Sequence, residues 1–412
     1  MKTRTQTWLA LIVVAVGLVP AALLGLFAYM FATATPLHPD PQSVRSTTHA
    51  DPSRTWGEAV ERGRQITRAA LNEQNLPGLS VAVAAGSEIV WAEGFGWADL
   101  ESQAPVTPKT RFRIGTASKV FTSAALGLLM EGDRLKLDAE IQTYVPEFPK
   151  KEWPVTVRQL MGHLAGVRND GGDESPLYSQ HCERTVEGIR SFADSSLLFE
   201  PGTQYRYSSY GWILLSAAVE AAADEPFLTF MRTQVFKPLA MDDTVADSAT
   251  EPMPDRATPY FPRFAADPRY GLHLMRPINY SCYSGASAFL STPSDLARFA
   301  MAIQSGLRQG SGAQGTLLQP ATVQLLQTSQ RLPSGEETGY GLGWDLENVT
   351  LEGQATRMVG HDGESLGGMV ASLMTFPDRG LVVAVMSNIS YADTFAVGSR
   401  IAEAFAEQPT RK

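Results

Sequence analysis

Arg113-Ile114-Gly115-Thr116-Ala117-Ser118-Lys119-Val120 sets a hydroxyl and an amine three residues apart, the spacing at which two side chains share one face of a helix. The apolar residues that follow, Val120, Phe121, Ala124, Ala125, Leu128 and Leu129, keep helical spacing. They predict a helix over about 117–131 with Thr116 at its start. Free backbone N–H groups and the positive dipole end favour negative charge developing on an oxygen there. Lys119 is the only lysine of the chain with Ser or Thr three positions before it. An amine so placed can take the proton of a hydroxyl that attacks an acyl carbon. The competing reading is a plain helix cap at Thr116 and a solvated first-turn charge at Lys119, both common at helix starts.

A chain of 412 residues with 44% hydrophobic and 19% charged residues buries a large core and is not disordered. Its net charge of −9, without a basic cluster or stripe, excludes a nucleic-acid partner. Lys2 and Arg4 precede an uncharged apolar stretch over residues 8–32, long enough for one bilayer crossing. The expected organisation is an n-region at 1–7, a transmembrane anchor or signal peptide at 8–32, a linker rich in Pro, Ser, Thr and Asp at 33–55, and a domain at 56–408. Basic residues before the stretch and none just after it orient the domain outward, so the expected location is a bacterial inner membrane, single-pass, with the domain in the periplasm. Cys182 and Cys282 stand far apart and outside metal-binding spacing, which leaves one disulfide or two free thiols, and no zinc site.

The domain opens with a helical stretch at 56–71 and two strand patterns around the turn Gly86-Ser87. Helical patterns fill the middle, at 156–163, 186–195, 208–222, 227–237 and 293–306. Strand patterns return at 341–345, 369–376 and 381–387, and a helix closes the chain near 391–406. Strand pairs at both ends with helices between predict one antiparallel sheet completed by both termini. The Pro-, Tyr- and Arg-rich segment 251–285 reads as a surface excursion. Tyr207, in Tyr205-Arg-Tyr-Ser-Ser-Tyr-Gly211, stands just before an apolar helix, and His361-Asp362-Gly363 leads into the last strands. Singly, each residue is also an ordinary core tyrosine or strand-edge histidine.

In this order, and with Thr156-Val-Arg-Gln-Leu-Met-Gly-His163, Pro201-Gly-Thr203 and Leu290-Ser-Thr-Pro-Ser-Asp-Leu-Ala-Arg-Phe299, the motifs resemble the serine β-lactamase and penicillin-binding-protein superfamily, in its class C-like branch. The resemblance spans about 76–404. It implies an α/β (α+β) fold of the β-lactamase/transpeptidase type: a five-stranded antiparallel sheet flanked by helices, a mostly helical lobe, and a site at their junction. It makes Thr116 the nucleophile, Lys119 its activating partner, Tyr207 the second proton-transfer group, and His361 the counterpart of the lysine in the Lys-Thr-Gly triplet. His361 would orient a substrate carboxylate or carbonyl and add a positive bias. By the same analogy the backbone N–H groups of Thr116 and Glu364 hold an oxyanion, with Gly363 and Ser209 beside the substrate. His163 matches a family position and is read as structural.

Two departures matter. The family pattern has serine at position 116, and a threonine's extra methyl restricts χ1 and crowds the carbonyl. Ser209 stands where many members have asparagine, which removes a side-chain amide from the substrate's reach. The expected function is a membrane-tethered acyl-transfer hydrolase of peptides, β-lactams or small esters, needing no cofactor or metal. The alternative is a silenced scaffold, and the branch leaves self-assembly open.

Overall fold

The computed structural model describes residues 19–48, 54–169, 176–248, 253–276, 278–309, 316–365 and 367–407. One antiparallel sheet organises the fold. Its strands are β1 (Ser46–Thr48), β2 (Gly78–Ala85), β3 (Glu88–Asp99), β4 (Asp345–Leu351), β5 (Gln354–Ser365), β6 (Met369–Phe376) and β7 (Leu381–Ser387), in the spatial order β1-β3-β2-β7-β6-β5-β4. Four of them, β2, β3, β6 and β7, match strand patterns read from the sequence; β5, which carries His361, had no such pattern, and β1 and β4 form the two edges. The chain ends meet where β7 pairs with β2, Leu381 opposite Ala85 and Ser387 opposite Leu79.

Both faces of the sheet are covered, so its central strands read as unbroken apolar runs, yet the period of two still sorts them. Ala82, Ala84, Val382, Ala384 and Met386 face the helical lobe, whereas Leu79, Val81, Val83, Val383 and Val385 face α1 (Gly57–Glu73) and α5 (Thr394–Ala406). The helical lobe is built on α2 (Ser118–Glu131) and α3 (Ser209–Ala223), and α4 (Pro293–Gln309) packs against the sheet. α3 is apolar nearly all round, with Trp212, Ile213, Leu214, Leu215 and Val219 buried, as a helix at the centre of a lobe must be.

Three expectations change. The strand signal at 341–345 belongs to a turn, because Gly343 at φ +100 lies against the Trp212 ring where a Cβ would come within 2.5 Å of it; the strand starts at Asp345. The 251–285 excursion holds a hairpin (Tyr260–Pro262 with Leu272–Leu274), and Tyr260, Ile278, Tyr280, Cys282 and Tyr283 within it are buried. Cys282 is bridged to Cys182, with Cα atoms 5.0 Å apart.

The membrane anchor is the third. Part of the 8–32 stretch, residues 8–18, lies outside the described residues, and among the described residues no helix is long and apolar enough to cross a membrane. Residues 19–32 are helical and mostly exposed, and touch the domain at Phe27 and Met30. Phe27 meets Phe264 and Tyr270 edge-on at 5.0 and 5.8 Å, and Arg263 donates to the Met30 carbonyl and Thr33 Oγ1. The segment that follows is tied down as well: the Leu37 N–H donates to Asn75 Oδ1 at 2.8 Å, and β1 pairs with β3.

Candidate active site

Thr116 stands in a 3-10 turn, Gly115–Ala117, immediately before α2. It does not cap the helix, since α2 has no side-chain cap. Its hydroxyl crosses to the sheet and donates to the Asp362 carbonyl at 3.0 Å. That crossing depends on Gly363: a Cβ there would fall 1.7 Å from the Ile114 carbonyl oxygen and 2.9 Å from the Ala117 nitrogen, so only glycine lets β5 lie against the turn. Arg113 fixes the turn from behind. Buried, it pairs with Asp247 at 2.6 Å and donates to the carbonyls of Gly367 and Ile278.

Lys119, the second residue of α2 and one turn past Thr116, has no solvent exposure, which rules out the solvated charge. Its Nζ donates to Tyr207 Oη at 2.6 Å and to Ser209 Oγ at 3.3 Å. Burial pushes the Tyr207 phenol well above its ordinary range, while hydrogen bonds with the Thr116 and Ser209 hydroxyls pull the other way. Tyr207 is therefore a neutral phenol standing between the Thr116 hydroxyl and the Lys119 amine.

His163 holds that phenol in place. Its backbone adopts the left-handed region at φ +58, its carbonyl accepts the Arg206 N–H at 2.9 Å, and its Nδ1 accepts the Ser208 N–H at 3.1 Å. Both bonds bracket Tyr207, and the two rings lie 4.3 Å apart.

His361 projects from β5 into the same place, and Tyr340 Oη meets its Nε2 at 3.0 Å. Burial lowers the imidazole pKa, Asp345 and the Asp362 carbonyl oppose this, and Lys119 reinforces it. The net shift works against the positive bias expected of this ring. Asp345 lies 3.7 Å from Nδ1, with its side chain 32% exposed.

A cleft of about 410 Å³ opens over these groups, walled by Tyr178, Tyr280 and Tyr283 and floored by Thr116, Tyr207 and His361. Tyr178 stacks on Tyr283 with ring centroids 4.9 Å apart. Asp345, Asp362 and Glu364 line the cleft, and none of its described lining residues is an arginine or lysine. Packing raises the Asp362 carboxyl to about 7 although part of the residue stays open to solvent; Asp345, Glu347 and Asp393 add to the shift and the Ser372 hydroxyl opposes it.

Thr116, Lys119, Tyr207, Ser209 and His361 thus converge, with Gly363 and Glu364 at the cleft's sheet side. The sequence reading did not find Tyr340, Asp345 or Asn169. Asn169 accepts the Ser209 N–H, and its only sequence signal is its place six residues after His163.

A family model described as Beta-lactamase matches residues 64–407. The chain belongs to the beta-lactamase family. It is 27% identical to the human serine beta-lactamase-like protein LACTB, mitochondrial, over 86% of this chain and 81% of that protein. It is 26% identical to penicillin-binding protein 4* of Bacillus subtilis over 69% of this chain and 62% of that protein. The octameric penicillin-binding protein homologue of Pyrococcus abyssi superposes with a TM-score of 0.70 over 86% of this chain and 78% of that one, at 23% identity, which establishes the fold. The human relative is mitochondrial by name, and with no membrane-crossing helix among the described residues, the expectation of a single-pass bacterial inner-membrane protein facing the periplasm is overturned.

Proposed function

We propose that this chain is an acyl-transfer hydrolase that cleaves amide or ester bonds through a covalent acyl-enzyme on Thr116. The observation that carries the reading is the 2.6 Å contact between the buried Lys119 amine and the Tyr207 phenol, beside a hydroxyl that opens into a cleft. The Thr116 oxygen attacks the acyl carbon and gives its proton to Tyr207 Oη, as Tyr207 passes its own proton to a neutral Lys119 amine. Returning along the same path, that proton reaches the leaving nitrogen or oxygen as the tetrahedral intermediate collapses. Tyr207 ends unchanged, which suits a phenol that burial keeps from ionising. Water then repeats the attack on the acyl-threonine. The backbone N–H groups of Thr116 and Glu364 are the candidate oxyanion donors, a role typically contributing about 3–4 kcal/mol per donor.

One observation favours a silenced site: the Thr116 hydroxyl donates to the Asp362 carbonyl, a bond it must give up to attack. Incubation with a fluorophosphonate or labelled penicillin, followed by peptide mapping, decides between the readings. An adduct on Thr116 supports the enzyme. Labelling only after Thr116→Ser supports a silenced site, and no adduct in either form removes the acyl-enzyme reading.

A further inference from the structure

The Asp362 carbonyl is a shared acceptor. It takes the Thr116 hydroxyl at 3.0 Å, and His361 Nδ1 stands 2.6 Å from the same oxygen. A carbonyl oxygen has no proton to give, so the proton between them belongs to Nδ1. Asp345, the other acceptor near that nitrogen, lies 3.7 Å away, beyond hydrogen-bond reach. With Nδ1 protonated, the uncharged imidazole has a bare Nε2. Burial favours this form, because it disfavours a charged ring. Tyr340 Oη, 3.0 Å from Nε2, must then be the donor. Both ring nitrogens are thus taken within the fold, and neither is left for a substrate.

Tyr340 is buried, and its backbone is fixed. The carbonyl accepts the Gln330 N–H at 2.8 Å, and the N–H donates to Thr338 Oγ1 at 3.2 Å. An oxygen that already accepts one short bond has less charge to offer a second donor. The Nδ1–H bond therefore weakens the hold of Asp362 on the Thr116 hydroxyl, whose proton has to turn from that carbonyl to Tyr207 before the oxygen can attack.

We infer that Tyr340 is a positioning residue: by donating to Nε2 it commits His361 Nδ1–H to the Asp362 carbonyl, which releases the Thr116 hydroxyl for proton transfer. The effect on attack rests on the acyl-enzyme reading above, whereas the directions of the hydrogen bonds do not.

The test exploits the two ring positions separately. Asparagine at 361 can place an amide N–H near the site of Nδ1, and glutamine places its amide near the site of Nε2. Fluorophosphonate should label position 116 about fivefold faster in His361→Asn than in His361→Gln, the effect of one hydrogen bond. Tyr340→Phe should slow labelling about fivefold with His361 present, and should add nothing in the His361→Asn background, which has no Nε2 to orient. The rate constant is read instead of the yield, so an unfolded fraction cancels. If only the Thr116→Ser chain labels, the same comparisons are made in it. Glutamine labelling as fast as asparagine, or an equal loss from Tyr340→Phe in both backgrounds, overturns the assignment. Nitrogen-15 NMR of the His361 ring, assigned by its loss in His361→Asn, reads the directions without any turnover. At about pH 8, above the ordinary histidine range, Nδ1 should be protonated and Nε2 bare, with the Nε2 resonance moving in Tyr340→Phe. A proton on Nε2, or a resonance indifferent to Tyr340→Phe, overturns the assignment even if Thr116 labels. The expected resonances without labelling in any form remove the acyl-enzyme reading and leave the Tyr340–His361–Asp362 chain of bonds standing.

Discussion

Lys119 is a long amine-bearing side chain with no exposed surface, a placement that is costly unless neighbouring groups replace the lost water. Two hydroxyls do so, and one of them is the Tyr207 phenol. Lys119→Ala is therefore expected to lower the rate of Thr116 labelling about 10²- to 10⁴-fold, as loss of a proton-transfer group does, while moving the unfolding midpoint little. Equal losses in both would make it a structural residue. His163 acts one step behind. In His163→Phe the ring contact with Tyr207 survives, but the Ser208 N–H loses its acceptor, a buried donor left unpaired at about 1–3 kcal/mol. Denaturant unfolding should show that loss, and labelling should slow because Tyr207 is no longer bracketed. A variant of wild-type stability and labelling rate would show that the Nδ1 bond is dispensable.

At the scale of elements, the site exists because one strand passes unusually close to one turn. Gly363→Ala puts a methyl carbon 1.7 Å from the Ile114 oxygen, and neither backbone can yield without separating β5 from the nucleophile turn. Labelling should be lost along with more than about 3 kcal/mol of stability, since overpacking of fixed backbone belongs to the largest class of mutational losses. Wild-type labelling in Gly363→Ala would mean the contact is not needed. The same strand gives a pH prediction. The Asp362 carboxyl has its pKa raised to about 7, so the folded chain holds a proton there that the unfolded chain releases near pH 4. Stability from this group is present below pH 4 and is lost as pH rises through 7. Asp362→Asn should therefore gain stability relative to wild type between about pH 4 and pH 8 in urea titrations; a flat difference would mean an ordinary carboxylate. The sequence made much of this legible. Hydroxyl–amine spacing, the tyrosine before α3, and the histidine-glycine step each have a local pattern, and the strand runs 369–376 and 381–387 are apolar enough to read directly. Tyr340, Asp345 and Asn169 have no such pattern, because what places them is a turn forced by Trp212 and a loop pinned by Ser208 and Ser209, contacts between segments far apart in the chain. The apolar stretch at 8–32 has the same limit: composition gives length and hydropathy, and cannot show that Phe27 meets Phe264 and Tyr270.

For the whole molecule, charge decides what reaches the site. The chain carries a net charge of −9, and Asp345, its side chain 32% exposed, lines a cleft with no arginine or lysine among its described lining residues. Lys119, beside the cleft, is buried and held by hydroxyls, and burial works against a charge on His361. A carboxylate on the substrate thus meets like charge on approach and, among the described lining residues, no arginine or lysine on arrival, whereas a neutral or cationic substrate meets neither obstacle. In a series of phenyl esters matched in size, kcat/KM should rank cationic above neutral above anionic, with about tenfold between the extremes at low salt. Asp345→Asn should narrow that span, because the side chain is partly open to the cleft and no other described group there offsets it. Raising the salt from about 20 mM to about 500 mM shortens the screening length from roughly 20 Å to about 4 Å. It should therefore speed the anionic ester and slow the cationic one, drawing the series together. An anionic ester that leads the series at low salt, and loses its lead as salt is added, would mean that an unrecognised cation faces the cleft.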